Sequence, residues 1–275
     1  MKTWMITGTS SGFGKALASK LAQEEGVNVI ATARKEADLD YLDQYDHGQI
    51  KKIIVDVSDP QAVKRAAAEA LAFSSKIDVL VNNAGLGYFS TIEESDLKEV
   101  RYMFEVDFFG LAEMTEALLP QFRANKSGII VNISSALGLT TLPTMGYYSA
   151  AKFAVEGYSD ALRQEVADLG IKVLTVEPSG ARTNWAGSSS EKKVPEIADY
   201  AKFKNMVATT DQAVDNAPGD PALIAQAIID AVNSDKMPDH LPLGEFAYNG
   251  SLDKLRKLAG EIESNRAISL STDDK

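Results

Sequence analysis

A short β-branched run at positions 3–7 leads straight into Thr7-Gly8-Thr9-Ser10-Ser11-Gly12-Phe13-Gly14, and an amphipathic segment over 14–24 follows. A glycine-rich string alone is weak evidence, since most are plain turns. Here it has a strand before it and a helix after it, inside the first βα unit, which is the context that phosphate binding requires. Glycine allows backbone angles and close approaches that a Cβ forbids. The helix start then offers unpaired N–H groups and the positive end of its dipole to a pyrophosphate. The turn reads as a nucleotide site.

The rest of the chain repeats the same alternation. Strands are expected over 3–7, 27–33, 50–56, 78–82, 128–134 and 172–177, with a short late one near 241–243. Helices are expected over 14–24, 60–75, 97–124, 149–169, 221–233 and 252–263. Most strands are continuously apolar, as in a parallel sheet covered on both faces. Asp59-Pro60 and Asp220-Pro221 each set a capping carboxylate before a proline at the first helical position. The pattern predicts a doubly wound α/β fold. For 29.6 kDa, area scaling gives a folded surface of roughly 11,500 Å². Residues 184–220, with three consecutive serines at Ser188, Ser189 and Ser190, are the one long irregular connection and read as a lid. Residues 271–275 read as a disordered tail.

Several classes drop out. The chain has no cysteine, which excludes disulfides, Cys-based zinc sites and thiol nucleophiles and fits a reducing, cytoplasmic setting. No apolar run approaches the ~20 residues of a membrane helix, and no signal peptide precedes the first turn. A net charge of −11 without a basic stripe disfavours nucleic acid. His47 and His240 lie far apart in sequence and read as surface residues, so no metal site is expected.

The end of the second strand bears on which nucleotide binds. A carboxylate there would accept from a ribose 2′-hydroxyl and favour NAD, whereas arginine accommodates the 2′-phosphate of NADP. The chain reads Thr32-Ala33-Arg34-Lys35, with no acid at the strand end. NADP(H) is therefore expected over NAD(H), unless Arg34 and Lys35 are merely surface charges.

The spacing Gly8-x-x-x-Gly12-x-Gly14 resembles that of the short-chain dehydrogenase/reductase family. Four further motifs follow in order: Asp56-Val57; Asn82-Asn83-Ala84-Gly85; Ser134-Ser135 ahead of Tyr148-Ser149-Ala150-Ala151-Lys152; and Pro178 with Thr183. A weaker echo is Leu241-Pro242-Leu243-Gly244. The resemblance implies a single Rossmann-fold domain over 1–275, with a parallel sheet of about seven strands and helices on both faces. It also implies an NADP-dependent oxidoreductase acting on a small carbonyl or secondary alcohol. In that reading Gly8, Ser10, Ser11, Gly12, Phe13 and Gly14 cradle the cofactor, with Arg34 at its 2′-phosphate. Asp56 accepts from the adenine amino group beside Val57, and Asn83, Ala84 and Gly85 line the cofactor loop. Ala181 and Thr183 engage the nicotinamide end. Tyr148 is the general acid/base, Lys152 binds the ribose and Ser135 holds the substrate oxygen. Relatives often pair the 97–124 and 149–169 helices across a subunit interface, which admits a homodimer or homotetramer.

These residue types suit the chemistry. Hydride addition to a carbonyl leaves an alkoxide that must gain a proton, and an unperturbed tyrosine near pKa ~10 is a poor proton exchanger at neutral pH. An ammonium one helical turn away stabilises its phenolate, and the Ser135 hydroxyl donates to the developing charge. A second Tyr-x-x-x-Lys pair, Tyr200/Lys204, lies in the irregular segment without a serine thirteen residues earlier and reads as chance.

Two positions depart from the family. Asp107 stands where the family usually has Asn, whose carbonyl is held to support a proton relay to the lysine; Asp keeps that carbonyl and could pair with Lys152. Ser179 replaces a glycine after Pro178, and its Cβ could tighten the approach to the nicotinamide. Leu137, Leu139, Leu142, Met145, Phe89 and the 185–206 segment suggest an apolar or aromatic substrate. A non-catalytic NADP(H)-binding sensor or scaffold of the same fold is the alternative, and an epimerase or dehydratase is a third. Net turnover of free NADPH separates the first reading from both.

Overall fold

Parallel pairing begins at the N-terminus. In the computed structural model, which describes residues 1–273, β1 (Lys2–Ile6), β2 (Val27–Ala33), β3 (Ile50–Ile54) and β4 (Val79–Asn82) form one side of a sheet. A three-residue strand, β5 (Gly87–Phe89), lies apart, and β6 (Gly128–Ile133), β7 (Ile171–Pro178) and, after the short β8 (Ser190–Lys192), β9 (His240–Leu243) complete the set. The seven-stranded sheet has the order β3-β2-β1-β4-β6-β7-β9, parallel throughout. The strand order reverses between β1 and β4, so the crevice beyond their carboxyl ends is where a ligand binds in such sheets.

Helices cover both faces, which is why the strands are apolar on both. On one face, α1 (Gly12–Leu21) and the later α8 (Pro221–Asn233) pack Leu17, Leu21, Ile224 and Ile228 against Trp4, Val29 and Val131. On the other, α2 (Pro60–Phe73), α4 (Gly110–Asn125) and α5 (Gly146–Val166) bury Val63, Met114, Leu118, Phe122 and Leu162 against Met5, Leu80 and Ile130. Both expected caps are present: Asp59 accepts from Gln61 N and Asp220 from Ala222 N, each at 2.8 Å.

Three segments differ from expectation. The single helix expected over 97–124 is split into α3 (Leu97–Phe104), a π-turn at Glu105–Phe109 and α4. The π-turn inserts one extra residue, a device that leaves no mark in hydrophobic periodicity and recurs at functional sites. The 184–220 connection carries short elements of its own, namely β8, α6 (Lys204–Ala208), α7 (Ala213–Asn216) and several 3-10 turns. β8 pairs in parallel with β5, so the segment is anchored to the body. The last helix starts earlier than expected: α9 runs Glu245–Ser264 and is followed by α10 (Arg266–Leu270). From Asp253 to Leu270 every residue is exposed, which contributes to a total surface of 13,927 Å², well above the area-scaling figure. Of the expected tail, 271–273 are exposed, and 274–275 lie outside the described residues. Among the described residues, no helix is long and apolar enough to cross a membrane.

Candidate active site

The glycine-rich turn is shaped by contacts that admit no side chain. Gly8 and Gly12 adopt left-handed backbone, φ +69° and +57°. A Cβ on Gly8 would stand 2.8 Å from Ala84 Cα, and one on Gly14 would fall on the Asn83 amide and the Gly8 carbonyl. Asn83 braces the turn by donating to Thr7 O and Gly8 O, both at 2.9 Å. Tyr41 donates to Thr9 O (2.8 Å), tying the segment after β2 to the turn, and burial pushes its hydroxyl up to about 12. The N-cap of α1, Ser11, makes no side-chain cap bond, which leaves the first N–H groups of α1 facing the cleft.

This turn forms one end of a cleft of about 360 Å³. Ser10, Ser11, Gly12 and Phe13 line it with Gly8, while Gly14 lies beneath. Arg34, Asp56, Val57, Asn83, Ala84, Gly85, Ala181 and Thr183 line it as well, Thr183 close against Gly12. One Asp56 oxygen takes Ser58 N and Oγ at 3.0 and 2.7 Å, leaving the other free. Arg34 is exposed and forms no ion pair among the described residues. The cradle that a Cβ would fill and the uncapped helix start together fit a dinucleotide cofactor.

At the inner end, Ser135 follows β6, while Tyr148 and Lys152 sit one turn apart on α5. All three line the cleft. Ser135 Oγ accepts from Leu137 N (3.1 Å), which fixes its rotamer. Lys152 is 4% exposed, with Nζ 5.6 Å from the Tyr148 ring centre, 3.2 Å from Ile133 O and 3.1 Å from Asp107 Oδ2. Asp107 is carried inward by the π-turn, and its Oδ1 accepts from Leu86 N at 2.7 Å. It does not line the cleft; it stands behind Lys152.

The electrostatics follow from burial. Burial pushes the Tyr148 phenol up; Lys152 and the Ser135 hydroxyl pull it down, and Asp107 pushes it further up. Burial alone would lower Lys152, but Asp107 reverses this and holds the ammonium above its ordinary value. Burial also raises the Asp107 carboxyl, against the pull of Lys152 and the Leu86 N–H. In this state Tyr148 is a proton donor at neutral pH.

Other expectations sort themselves by position. Tyr200 donates to Glu93 on the surface (2.7 Å), away from the cleft. Tyr147 packs edge-on to Tyr88 and does not line the cleft. Leu137, Leu142, Met145 and Phe89 line it, but Leu139 does not. Ser179 lines the cleft, and its Oγ accepts from Ala247 N (2.8 Å) in the first turn of α9. His240 is not a loop residue: it opens β9 and its Nδ1 lies 2.8 Å from Glu177 Oε1.

Trp185, at the start of the segment expected to complete the pocket, packs at a tilt against Tyr148 with ring centres 4.8 Å apart and edge-on to Phe89 at 5.5 Å. Two contributors were missed. Phe246 lines the cleft from α9. Glu94, nearly buried, accepts from Glu196 N and Ile197 N (2.6 and 2.9 Å) and so staples the segment after β8 to the body. No local signal marks Phe246 or Glu94, because each acts across a long stretch of chain.

A model of the family described as short chain dehydrogenase matches residues 2–194. The chain belongs to this family. A short-chain dehydrogenase from Streptomyces avermitilis superposes with a TM-score of 0.90 at 41% identity, over 99% of each chain. Oxidoreductase BOA17 of Botryotinia fuckeliana is 33% identical over 98% of this chain and 99% of its own length. A 3-ketodihydrosphingosine reductase from Bacteroides thetaiotaomicron is 38% identical over 72% of this chain and 71% of its own. The likeness to the Streptomyces dehydrogenase extends over α8 to α10, beyond the family model, so the C-terminal third is also shared with another dehydrogenase.

Proposed function

We propose that this dehydrogenase transfers a hydride between NADP(H) and an apolar carbonyl compound or its secondary alcohol. One observation carries the reading: Ser135, Tyr148 and Lys152 meet at the inner end of the same cleft whose outer end is the glycine cradle. The bound nicotinamide would supply or accept the hydride. The Ser135 hydroxyl would donate to the substrate oxygen. Tyr148 would deliver its proton to the forming alkoxide, and Lys152 would hold the resulting phenolate by its charge while contacting the cofactor ribose. Asp107 would keep Lys152 charged and in place.

Cofactor choice rests on Arg34 at the cleft edge and on the lack of a carboxylate at the end of β2. Substrate class rests on the other end. The charged side chains lining the cleft are Arg34, Asp56 and Lys152, all on the cofactor path, whereas Phe89, Leu142, Met145, Trp185 and Phe246 line the remainder. A carboxylate or phosphate would find no charged partner there, and an alkyl or aryl ketone would find apolar cover. The segment 184–220 is proposed as the lid over this end, within one domain. The relative named for reducing a 3-keto compound agrees with a ketone substrate. Exposed Phe109 and Phe153 support a homodimer or homotetramer.

The test is loss of NADPH absorbance against a panel of aldehydes, ketones and diketones, with NADH and Tyr148→Phe alongside. The expected result is NADPH-preferring turnover that falls about 10³-fold in Tyr148→Phe, with NADPH affinity retained. Tight NADPH binding without turnover on any member would favour the sensor reading instead.

A further inference from the structure

A second cluster of ionisable groups lies beyond the catalytic lysine, away from the cleft. Glu156 stands one turn after Lys152 on α5, Glu177 lies on β7, and His240 opens β9. Their donor atoms lie within 4.8 Å of one another. His240 Nδ1 is 2.8 Å from Glu177 Oε1 and 3.6 Å from Glu156 Oε2.

Each ligand is prepared in a different way. Glu177 is fully buried, and its second oxygen is taken by Leu241 N at 2.9 Å, leaving Oε1 for the cluster. Glu156 is 6% exposed, yet neither of its oxygens has a hydrogen-bond partner among the described residues. The neighbouring Ser134 hydroxyl makes no well-formed bond to it either. A side chain on Gly138 would press on Glu156 Oε1 at 2.7 Å, so that glycine keeps the carboxylate's space open. His240 Nε2 faces Asp160 Oδ1 at 3.4 Å. That contact suits an imidazole that donates outward from Nε2 and ligates inward through Nδ1. Arg163, the nearest guanidinium, is committed to Asp160, Val173 O and Thr175.

The unpartnered carboxylate is the deciding observation. Two carboxylates this close and this dry are costly to bury without a counter-charge, and Glu156 stands in the cluster with neither oxygen hydrogen-bonded. We infer that Glu156, Glu177 and His240 form a binding site for a divalent transition-series cation. One nitrogen and two carboxylate oxygens, with water in the remaining position, match Zn²⁺. The exposed side of His240 is the entry path. The ion would clasp β7, β9 and the helix that carries Tyr148 and Lys152, a role in stability rather than in hydride transfer.

The full-length protein is stripped with a chelator and titrated with ZnCl₂ by calorimetry, and with Co²⁺ by visible spectroscopy. One equivalent per chain with Kd about 1 μM or tighter, tetrahedral Co²⁺ bands and a rise in melting temperature are expected. His240→Arg puts a fixed cation between the carboxylates; it should fold, turn over NADPH and lose the metal response. Glu156→Gln should weaken uptake by more than the ~10- to 100-fold typical of outer-shell changes. No stoichiometric uptake by the wild type, or uptake unchanged in both variants, would overturn the assignment.

Discussion

The two ends of the cleft are built from different materials. The cofactor end is backbone: left-handed glycines, an uncapped helix start and carbonyls held by Asn83. The substrate end is side chains on short pieces, with Trp185 and Phe246 brought in by segments that Glu94 and Ser179 pin from a distance. Backbone has one shape for a given set of glycines, so the first end is rigid and general. The second can be re-cut by changing one anchor.

Gly14→Ala attacks the rigid end. Its Cβ meets the Asn83 amide and the Gly8 carbonyl, so we expect a loss of about 3 kcal/mol in stability and no measurable NADPH binding, read by thermal melts and fluorescence titration. Near-normal binding would show that the turn gives way, erasing the contrast. Arg34→Ala is the next largest effect: removing one charge-assisted phosphate contact should lower kcat/KM with NADPH about 10- to 100-fold and leave NADH unchanged. Equal losses with both cofactors would make Arg34 a surface charge.

Legibility followed the same divide. The glycine turn, the Asp59 and Asp220 caps and the sheet alternation act over a few residues, so spacing alone reveals them. Tyr148 could be told from Tyr200 because Ser135 lies just after the preceding strand at a fixed offset. The β5–β8 pair could not be seen, since three residues carry no period and Gly87 meets Ser190 only through the fold. The bond from Ala247 to Ser179 could not be seen either, since the two lie 68 residues apart. His240 looked like a loop residue because its neighbouring prolines mask a strand whose pairing is set by β7.

Glu94→Gln tests the adaptable end. Both backbone N–H groups donate to the same oxygen, Oε1, and lose a charged acceptor together, so KM for the carbonyl substrate should rise a few-fold while kcat and NADPH affinity hold. A fall in kcat alone would place Glu94 nearer the chemistry than its position suggests.

The smallest effect is expected from Asp107→Asn. The negative charge of Asp107 pushes the Tyr148 phenol up, so the amide should let it ionise at lower pH. The rising limb of alcohol oxidation would then move to lower pH, and reduction would begin to fail at lower pH as well. Profiles of kcat/KM in both directions read the shift; an unmoved profile would make Asp107 a packing residue. A large gain in turnover would show that the native carboxylate restrains the reaction.

The π-turn at Glu105–Phe109 also sets a counting frame for the chain around it. Straight helical counting would set Val100 and Met103 on the same side as Met114, Leu118 and Phe122, yet the first two pack in the cluster around Tyr148 and the other three against the sheet. Removing a single residue there would take away the extra residue of the turn that carries Asp107 to Lys152. Length between positions 97 and 125 is thus as tightly constrained as any side chain, and a one-residue gap in this stretch is costlier than most substitutions within it.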